Sequence, residues 1–321
     1  MDHKPRIIEV LGKLRERDFA KNDKWKVRAY DIVIKQLKSL DKPIKSIKDV
    51  EGLKGVGDKI KIKIEEIINT GDLAQVRNID KEVGIITELT KVFGIGPIRA
   101  RDLYEKHGIN SIAELESRTD LLNDKQIMGL KYYKDFEKRI PYKEMQKHDE
   151  FLKKVISQID SELRIEIMGS YRRRRPNSGD IDCLVCHPGD IDHSKMFEDI
   201  VKKLESEKYL VDTFAKGNKK YNGVCRLKYH RTNRRIDLMY TSKETFPFAL
   251  LYFTGSQEFN IALRNKALEK GYSLSEYGLK DEKTGNVLNK QFETEEDVFK
   301  FLGLRYVKPE NREKVKLELL A

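Results

Sequence analysis

Two aspartates, Asp180 and Asp182, sit in the run SGDIDCLVC (178–186), and a third, Asp237, sits in RRIDLMY (234–240). Both runs are short, branched and roughly alternating, which predicts β-strands. Residues two apart on a strand project from one face, so Asp180 and Asp182 present two carboxylates to the same side. Carboxylates that close repel unless a cation lies between them, and hard oxygen ligands suit Mg²⁺. Asp237 shares its strand face with Arg235, while Ile236 and Leu238 point the other way, toward a core. If the two strands are neighbours, three carboxylates converge and can hold two metals. That arrangement activates an attacking oxygen and stabilises a leaving one in in-line phosphoryl transfer.

Just upstream lies GSYRRRRPNSG (169–179). A glycine–serine turn leading into a short helix presents N–H groups, a hydroxyl and guanidinium groups to a triphosphate. For a bare D-x-D, an exposed acidic strand beside a basic turn is the plainer reading. It does not account for glycine–serine, then S-G-D-x-D, then a distant R-x-D strand, in that order. The four arginines 172–175 also read as a nuclear localisation signal, but they fall inside the phosphate loop. Cys183 and Cys186 form a C-x-x-C; three residues apart on a strand they face opposite ways, which favours buried packing over zinc or redox chemistry. With Cys225 they make three cysteines, a count that suggests a reducing compartment and no disulfide framework.

The elements that must carry these residues are predicted as follows. From about residue 5 to 79, apolar positions recur three and four apart (IIEVLGKL, YDIVIKQLKSL, IKIKIEEII), which predicts helices. A second helical block runs from about 80 to 141 and ends at Pro141. Strands are expected at 164–169, 180–186, 223–229 and 234–240, and a block from about 243 mixes helices with short strands. Two segments, LKGVGDKIKIKI (53–64) and VFGIGPIRARDL (92–103), share a hydrophobic-x-Gly-hydrophobic-Gly core followed by a helical pattern. This is a helix–hairpin–helix signature, in which Gly55, Gly57, Gly94 and Gly96 permit a tight turn whose N–H groups meet a phosphate. A pair of ordinary helical turns is the alternative. The net charge of +11 and pI of about 9.2 fit a polyanionic partner, although a lysine-rich surface would give the same figures. No stretch reaches the length of a membrane span, and the N-terminus lacks the pattern of a signal peptide.

Taken together, GSYRRRRPNSGDID, FEKRIP (136–141), RRIDL (234–238), LYFTGS (251–256), FN…R…ALEKGYSLSEYGL (259–279) and GLRYVKPENR (303–312) resemble the family X DNA polymerases, a branch of the nucleotidyltransferase superfamily. The resemblance covers the chain from about residue 20 and is closest to polymerases beta and lambda. It implies an α+β chain: a helical lyase domain (1–79), a helical DNA-binding subdomain (80–141), a catalytic palm with a mixed sheet (142–242) and a subdomain covering the nascent base pair (243–321). It implies that Asp180 and Asp182 ligate both divalent ions, and that Asp237 ligates the catalytic one and helps deprotonate the primer 3′-OH. Arg139, Ser170, Arg173, Ser178 and Gly179 match positions that hold the triphosphate. Tyr252, Phe253 and Gly255 match the segment under the sugar, and Asn260 matches a residue reading the minor-groove edge of the incoming base. Arg264 matches a template contact and Arg235 the arginine beside the third aspartate. Lys63 aligns with the Schiff-base nucleophile of the lyase and Lys59 with a DNA-binding lysine. The carbonyls of Leu53 and Val56, and of Thr90, Val92 and Ile95, match monovalent-cation sites for Na⁺ or K⁺ in the two hairpins.

The implied activity is template-directed filling of short gaps in DNA repair with two Mg²⁺ (Mn²⁺ as a substitute), plus removal of a 5′-deoxyribose phosphate. The expected partners are gapped or nicked DNA, dNTPs and repair proteins such as a ligase, with no membrane and the chain a monomer. An intracellular location is expected: the nucleus for a cellular eukaryote, a viral factory or virion for a virus. There are departures. The neutral pair Ala74-Gln75 stands where a basic residue is expected, the basic and aromatic set upstream is rearranged around Lys24, Trp25 and Arg28, and Gln257 and Ile261 replace an acidic and a basic residue. The rivals are a template-independent or end-joining polymerase, an RNA nucleotidyltransferase and a non-catalytic DNA-binding scaffold. The short connection KYHRTN (228–233) and the lack of room for a further N-terminal domain favour templated synthesis. The three aspartates argue against a scaffold, and the hairpin pair with YFTGS against an RNA enzyme.

Overall fold

The computed structural model describes residues 2–20 and 23–313. The chain forms two compact units that meet in sequence between Leu122 and Asn123.

The first unit is helical: α1 (Lys4–Ala20), α2 (Lys24–Lys38), α3 (Asp58–Thr70), α4 (Ala74–Leu89), α5 (Pro97–His107) and α6 (Ile112–Glu116). Ile7, Val10, Leu11 and Leu14 recur at three and four residues on α1, so they fall on one face. They are buried against Tyr30, Val33 and Leu37 of α2 and Ile64 and Ile67 of α3. The Asp23 side chain caps α2 by accepting the Lys26 N–H, satisfying a donor that helix geometry leaves free. The boundary expected at 79/80 falls inside α4, which runs unbroken through it. Both glycine hairpins are built alike. Gly55 and Gly94 have φ of +93° and +91°, the left-handed region that favours glycine. Gly57 and Gly96 then cap α3 and α5.

The second unit begins with α7 (Asp124–Phe136), β1 (Ile140–Pro141), α8 (Tyr142–Ile156), β2 (Arg164–Ile167), α9 (Gly169–Arg172) and β3 (Asn177–Ser178). It continues through β4 (Ile181–Cys186), α10 (His193–Ser206), β5 (Leu210–Lys216), β6 (Lys220–Cys225) and β7 (Arg234–Thr241). Last come α11 (Phe246–Thr254), α12 (Gln257–Glu269), β8 (Tyr272–Ser275), β9 (Gly278–Asp281) and α13 (Glu295–Phe301). Five strands form one mixed sheet in the order β2-β4-β7-β6-β5, in which β4 and β7 are parallel and the other pairs antiparallel. Alternate residues of β4 and β7 (Ile181, Cys183, Val185; Ile236, Leu238, Tyr240) bury against α8 and α10. The opposite face meets α11 and Met168, the residue before α9, through Leu184 and Cys186 packed with Phe246 and Ala249. Cys183 and Cys186 thus enter different cores, as strand alternation requires.

Two strand expectations change. The strand expected at 223–229 lies earlier, at Lys220–Cys225, and β5 was not anticipated. β5 is an edge strand with Thr213, Ala215 and Lys216 exposed, so its apolar signal is weak. Its bulge presses on β6: a Cβ on Gly223 would lie 2.5 Å from the Asp212 carbonyl oxygen. That close approach explains a glycine in mid-strand.

Candidate active site

The sheet register assembles the acidic site. Asp182 and Asp237 are paired residues on the parallel neighbours β4 and β7, and Asp180 sits one residue before β4. Oxygens of all three carboxylates lie within 4.8 Å of one another. Burial, together with the negative charge of Asp237, pushes the Asp182 carboxyl up to about 6. Arg235 lies between the other two: one guanidinium nitrogen meets Asp180, and Nη1 donates to Asp237 Oδ2 at 2.6 Å. A Cβ on Gly169 (φ +58°) would sit 2.7 Å from Asp182 Oδ2, so the turn before α9 can approach the carboxylate only as glycine. The donor set suits hard divalent ions. It consists of oxygens only, it is partly buried, and its charge is incompletely neutralised by protein groups.

The residues matched to triphosphate binding gather beside it. Pairing of β1 with β3 sets Ile140 against Ser178, which brings Arg139 over the loop, where its Nε donates to Asn177 Oδ1 at 2.8 Å. Gly179 passes so close that a Cβ there would meet Arg139 Nη1 at 2.9 Å. Ser170 Oγ donates to Ser178 Oγ at 2.9 Å. Arg173 reaches across to the Thr254 carbonyl, next to Gly255, whose missing Cβ would fall 3.2 Å from Arg173 Nη1. Its Nε pairs with Glu313 at 3.0 Å.

On α11 and α12, Asn260 Nδ2 donates to the Tyr252 carbonyl at 2.7 Å. The Arg264 guanidinium lies 5.1 Å from the centre of the Tyr252 ring, a cation–π distance. Phe253 packs edge-on to Tyr252 and lines a cavity of about 170 Å³ beside Asp182 and Asp237. Gln257 and Ile261 are exposed on α12.

In the first unit, Lys63 is half-buried on α3 and donates Nζ to Gln75 Oε1 at 3.0 Å, while Lys59 is exposed. The neutral Gln75 is therefore a partner of the matched lyase lysine. Trp25 is 83% exposed among Lys24, Lys26 and Arg28. The Leu53 and Val92 carbonyls accept turn N–H bonds from Val56 and Ile95 at 3.1 and 3.0 Å, and each keeps a second lone pair. Thr90 ends α4 as its C-cap.

Three arrangements were not legible in sequence. Asn222 on β6 donates Nδ2 to Asp237 Oδ1 at 2.7 Å. Arg234, buried beside Arg235, makes a bidentate pair with Glu144 of α8 at 2.8 and 2.9 Å. Burial alone would raise Glu144, but His148 and Arg234 bring it down to about 2. Glu295 of α13 joins Arg172 of α9 to the buried Arg312. A separate cluster, Asp160, Glu162 and His187, has the wrong polarity for a metal. His187 Nδ1 accepts the Gly189 N–H at 3.0 Å, which leaves the ring proton on Nε2, facing the acids.

Comparison with known proteins accounts for most of the chain. Residues 2–73 match a helix-hairpin-helix domain, 87–137 the fingers domain of DNA polymerase lambda, 139–243 the DNA polymerase beta palm and 249–313 the DNA polymerase beta thumb. The chain is 32% identical to DNA polymerase lambda of Rattus norvegicus, over 96% of this chain and 56% of that one. It is 30% identical to DNA polymerase lambda of Arabidopsis thaliana, over 95% of this chain and 61% of that one. It therefore spans less than two thirds of the length of these curated relatives. No helix among the described residues is long and apolar enough to cross a membrane. The in-register aspartates lie in the palm match and the glycine hairpins in the helical matches, and with the lambda relatives they show that this chain belongs to the family X DNA polymerases.

Proposed function

We propose that the protein is a template-directed DNA polymerase that fills short gaps during repair and also carries 5′-deoxyribose-phosphate lyase activity. The observation that carries the first part is the paired register of Asp182 and Asp237, with Asp180 alongside, next to a serine–glycine–arginine loop. In this reading Asp180 and Asp182 hold two Mg²⁺ ions, and Asp237 joins them at the catalytic one. When bound, those ions polarise the attacking oxygen and neutralise charge on the phosphates. Asp237 accepts the primer 3′-OH proton or orients it. Arg139, Ser170, Arg173, Ser178 and Gly179 hold the triphosphate through hydroxyls, guanidiniums and backbone N–H groups. Tyr252, Phe253 and Gly255 lie under the sugar, Asn260 meets the edge of the incoming base and Arg264 the template. Arg235, which lies between Asp180 and Asp237, would have to turn aside for ions to be held there, and its guanidinium would then be available to DNA.

Lys63 is the proposed lyase nucleophile, with Lys59 on the DNA backbone. Gln75 holds the Lys63 amine without adding positive charge beside it. The two glycine hairpins would bind phosphates through their turn N–H groups, each with a Na⁺ or K⁺ on the carbonyls of Leu53 and Val56, or of Thr90, Val92 and Ile95. The favoured DNA is gapped or nicked, and the chain acts as a monomer. The rival reading as a template-independent polymerase is disfavoured by the short β6–β7 connection, residues 226–233, which is too short to stand in for a template strand.

The test is extension of a 5′-labelled primer on a one-nucleotide gapped duplex with Mg²⁺ and one dNTP at a time. Addition of the templated nucleotide alone, preferentially at the gap, is the expected result. Growth of a template-free primer would point to terminal transfer. Gap binding without extension would point to a scaffold.

A further inference from the structure

Asp237 has a donor on each carboxylate oxygen. Arg235, two residues earlier on β7, donates Nη1 to Oδ2 at 2.6 Å. Asn222 donates Nδ2 to Oδ1 at 2.7 Å from the neighbouring strand. The second contact follows from register: Asn222 is directly opposite Asp237 in the antiparallel β6–β7 ladder, and opposed residues share a face with Cβ atoms about 5 Å apart. Asn222 also borders the cavity of about 170 Å³ whose other walls include Met168, Leu184, Met239 and Phe253. An amide beside such apolar groups is costly unless it is hydrogen-bonded, and Asp237 supplies the acceptor.

The two donors differ in what happens when cations enter. Arg235 occupies the space between Asp180 and Asp237, the same space a divalent ion needs, so its guanidinium must leave. Asn222 lies on the other side of the Asp237 carboxylate, bonded to the other oxygen, and has no reason to move. We propose that Asn222 is a positioning residue, which fixes the Asp237 carboxylate toward Asp180 and Asp182 once Arg235 has withdrawn. The inference rests on the reading of the three aspartates as a divalent-ion centre. Asn222 acts through Asp237 and touches neither nucleotide nor primer. Its absence leaves Asp237 Oδ1 without a donor and the carboxylate free to rotate about χ2.

The experiment compares the full chain with Asn222→Leu, which keeps the side-chain bulk and removes the amide. Insertion into a one-nucleotide gap is followed at saturating DNA, and Mn²⁺ binding is followed separately by electron paramagnetic resonance without DNA or nucleotide. Loss of an outer hydrogen bond to a metal ligand costs roughly 10- to 100-fold in activity or metal affinity. Asn222→Leu is therefore expected to lower kcat by about tenfold or more and to weaken Mn²⁺ binding, with KM for the nucleotide changed by less than about threefold. A merely structural role would lower the Tm or alter DNA binding and leave the Mn²⁺ titration of the folded fraction untouched. If Asn222→Leu does not fold, Asn222→Ser, which also loses the direct bond, is read the same way. A folded variant with wild-type kcat and wild-type Mn²⁺ affinity overturns the role of Asn222. Should the wild-type chain itself neither bind Mn²⁺ nor insert a nucleotide, the metal-centre reading fails, a result distinct from the first.

Discussion

Glu295→Gln provides a direct measure of what holds α9, α13 and the segment at Arg312 together. Both Glu295 oxygens are engaged. Oε1 accepts from Arg172 Nη1 at 3.0 Å and from Arg312 Nη1 at 2.8 Å, and Oε2 accepts from Arg172 Nη2 at 2.7 Å. The Arg312 side chain is fully buried and the Glu295 side chain 4% exposed. Burial raises the Glu295 carboxyl, but the two arginines more than offset this and hold it below its ordinary value. Arg312 also donates Nε to the Val307 carbonyl at 3.0 Å and lies against the rings of Phe259, Phe299 and Tyr306, while its Nη2 has no hydrogen-bond partner among the described residues. Glutamine keeps the shape and removes the negative charge that Arg172 and Arg312 share. Removing one partner of a buried pair costs about 3–5 kcal/mol, because the other charge stays behind. For a unit of this size, 1 kcal/mol moves the Tm by about 2–4 °C, so the expected fall is roughly 6–20 °C. Thermal unfolding by circular dichroism reads it directly. Adding Arg312→Met should recover part of the loss, since the stranded cation is then gone. A fall of less than about 3 °C, or no recovery in the double variant, would refute the reasoning.

Other outcomes follow from the same geometry. Asp237→Ala is expected to abolish templated insertion while leaving gapped-DNA affinity within about threefold, checked by extension and fluorescence anisotropy. Borohydride should trap the wild-type chain on 5′-deoxyribose-phosphate DNA and should not trap Lys63→Ala; equal trapping would remove Lys63 from the lyase. Gly169→Ala forces a Cβ within 2.7 Å of Asp182 Oδ2 at φ +58°, and should cut kcat by about tenfold or more, as misplacement at a reacting centre does. Two carboxyl groups are shifted in opposite directions, and both predicted effects fade on acidification, in different pH ranges. Glu144 is held down to about 2 by His148 and Arg234 despite its burial. Its contribution to stability is therefore complete above its ordinary value of 4.5 and is lost as pH falls through about 2. Urea unfolding of wild type and Glu144→Gln should differ most near neutrality and converge in acid. Asp182 is raised to about 6, so protons compete with cations there. Mn²⁺ affinity should weaken as pH drops below about 6, and an affinity flat from pH 7 to 5 would contradict that shift.

The site was legible in sequence where local spacing decided geometry. D-x-D on a strand and R-x-D on another told which side chains share a face, and burial of Ile236 and Leu238 on the other face agrees. The glycine hairpins were legible because left-handed turns at Gly55 and Gly94 leave a residue-type signature. What could not be read were contacts set by register between distant segments. Nothing in KYNGVC says that Asn222 faces Asp237, because the pairing depends on where β6 begins, and that start was placed three residues late. Arg172, Glu295 and Arg312 meet across more than a hundred residues, and each alone reads as an exposed charge. The edge strand β5 escaped because one wet face dilutes its alternation, and the boundary expected at 79/80 falls inside α4, whose helix continues through that point.

The parallel pairing of β4 with β7 bears on how the chain acquires its chemistry. Neither strand can find the other through a tight turn. Between them lie α10, β5 and β6, about fifty residues whose own hairpins are local and close quickly. Parallel, sequence-distant pairings are slow because the loop entropy is lost before the contacts form. Asp182 and Asp237 therefore come together only when the centre of the sheet is complete. During refolding, helix content and the β5–β6 hairpin should return first, and the ability to bind Mn²⁺ should return last, in step with the final cooperative phase. A partly folded chain would then hold its helices before it possessed the paired carboxylates of β4 and β7.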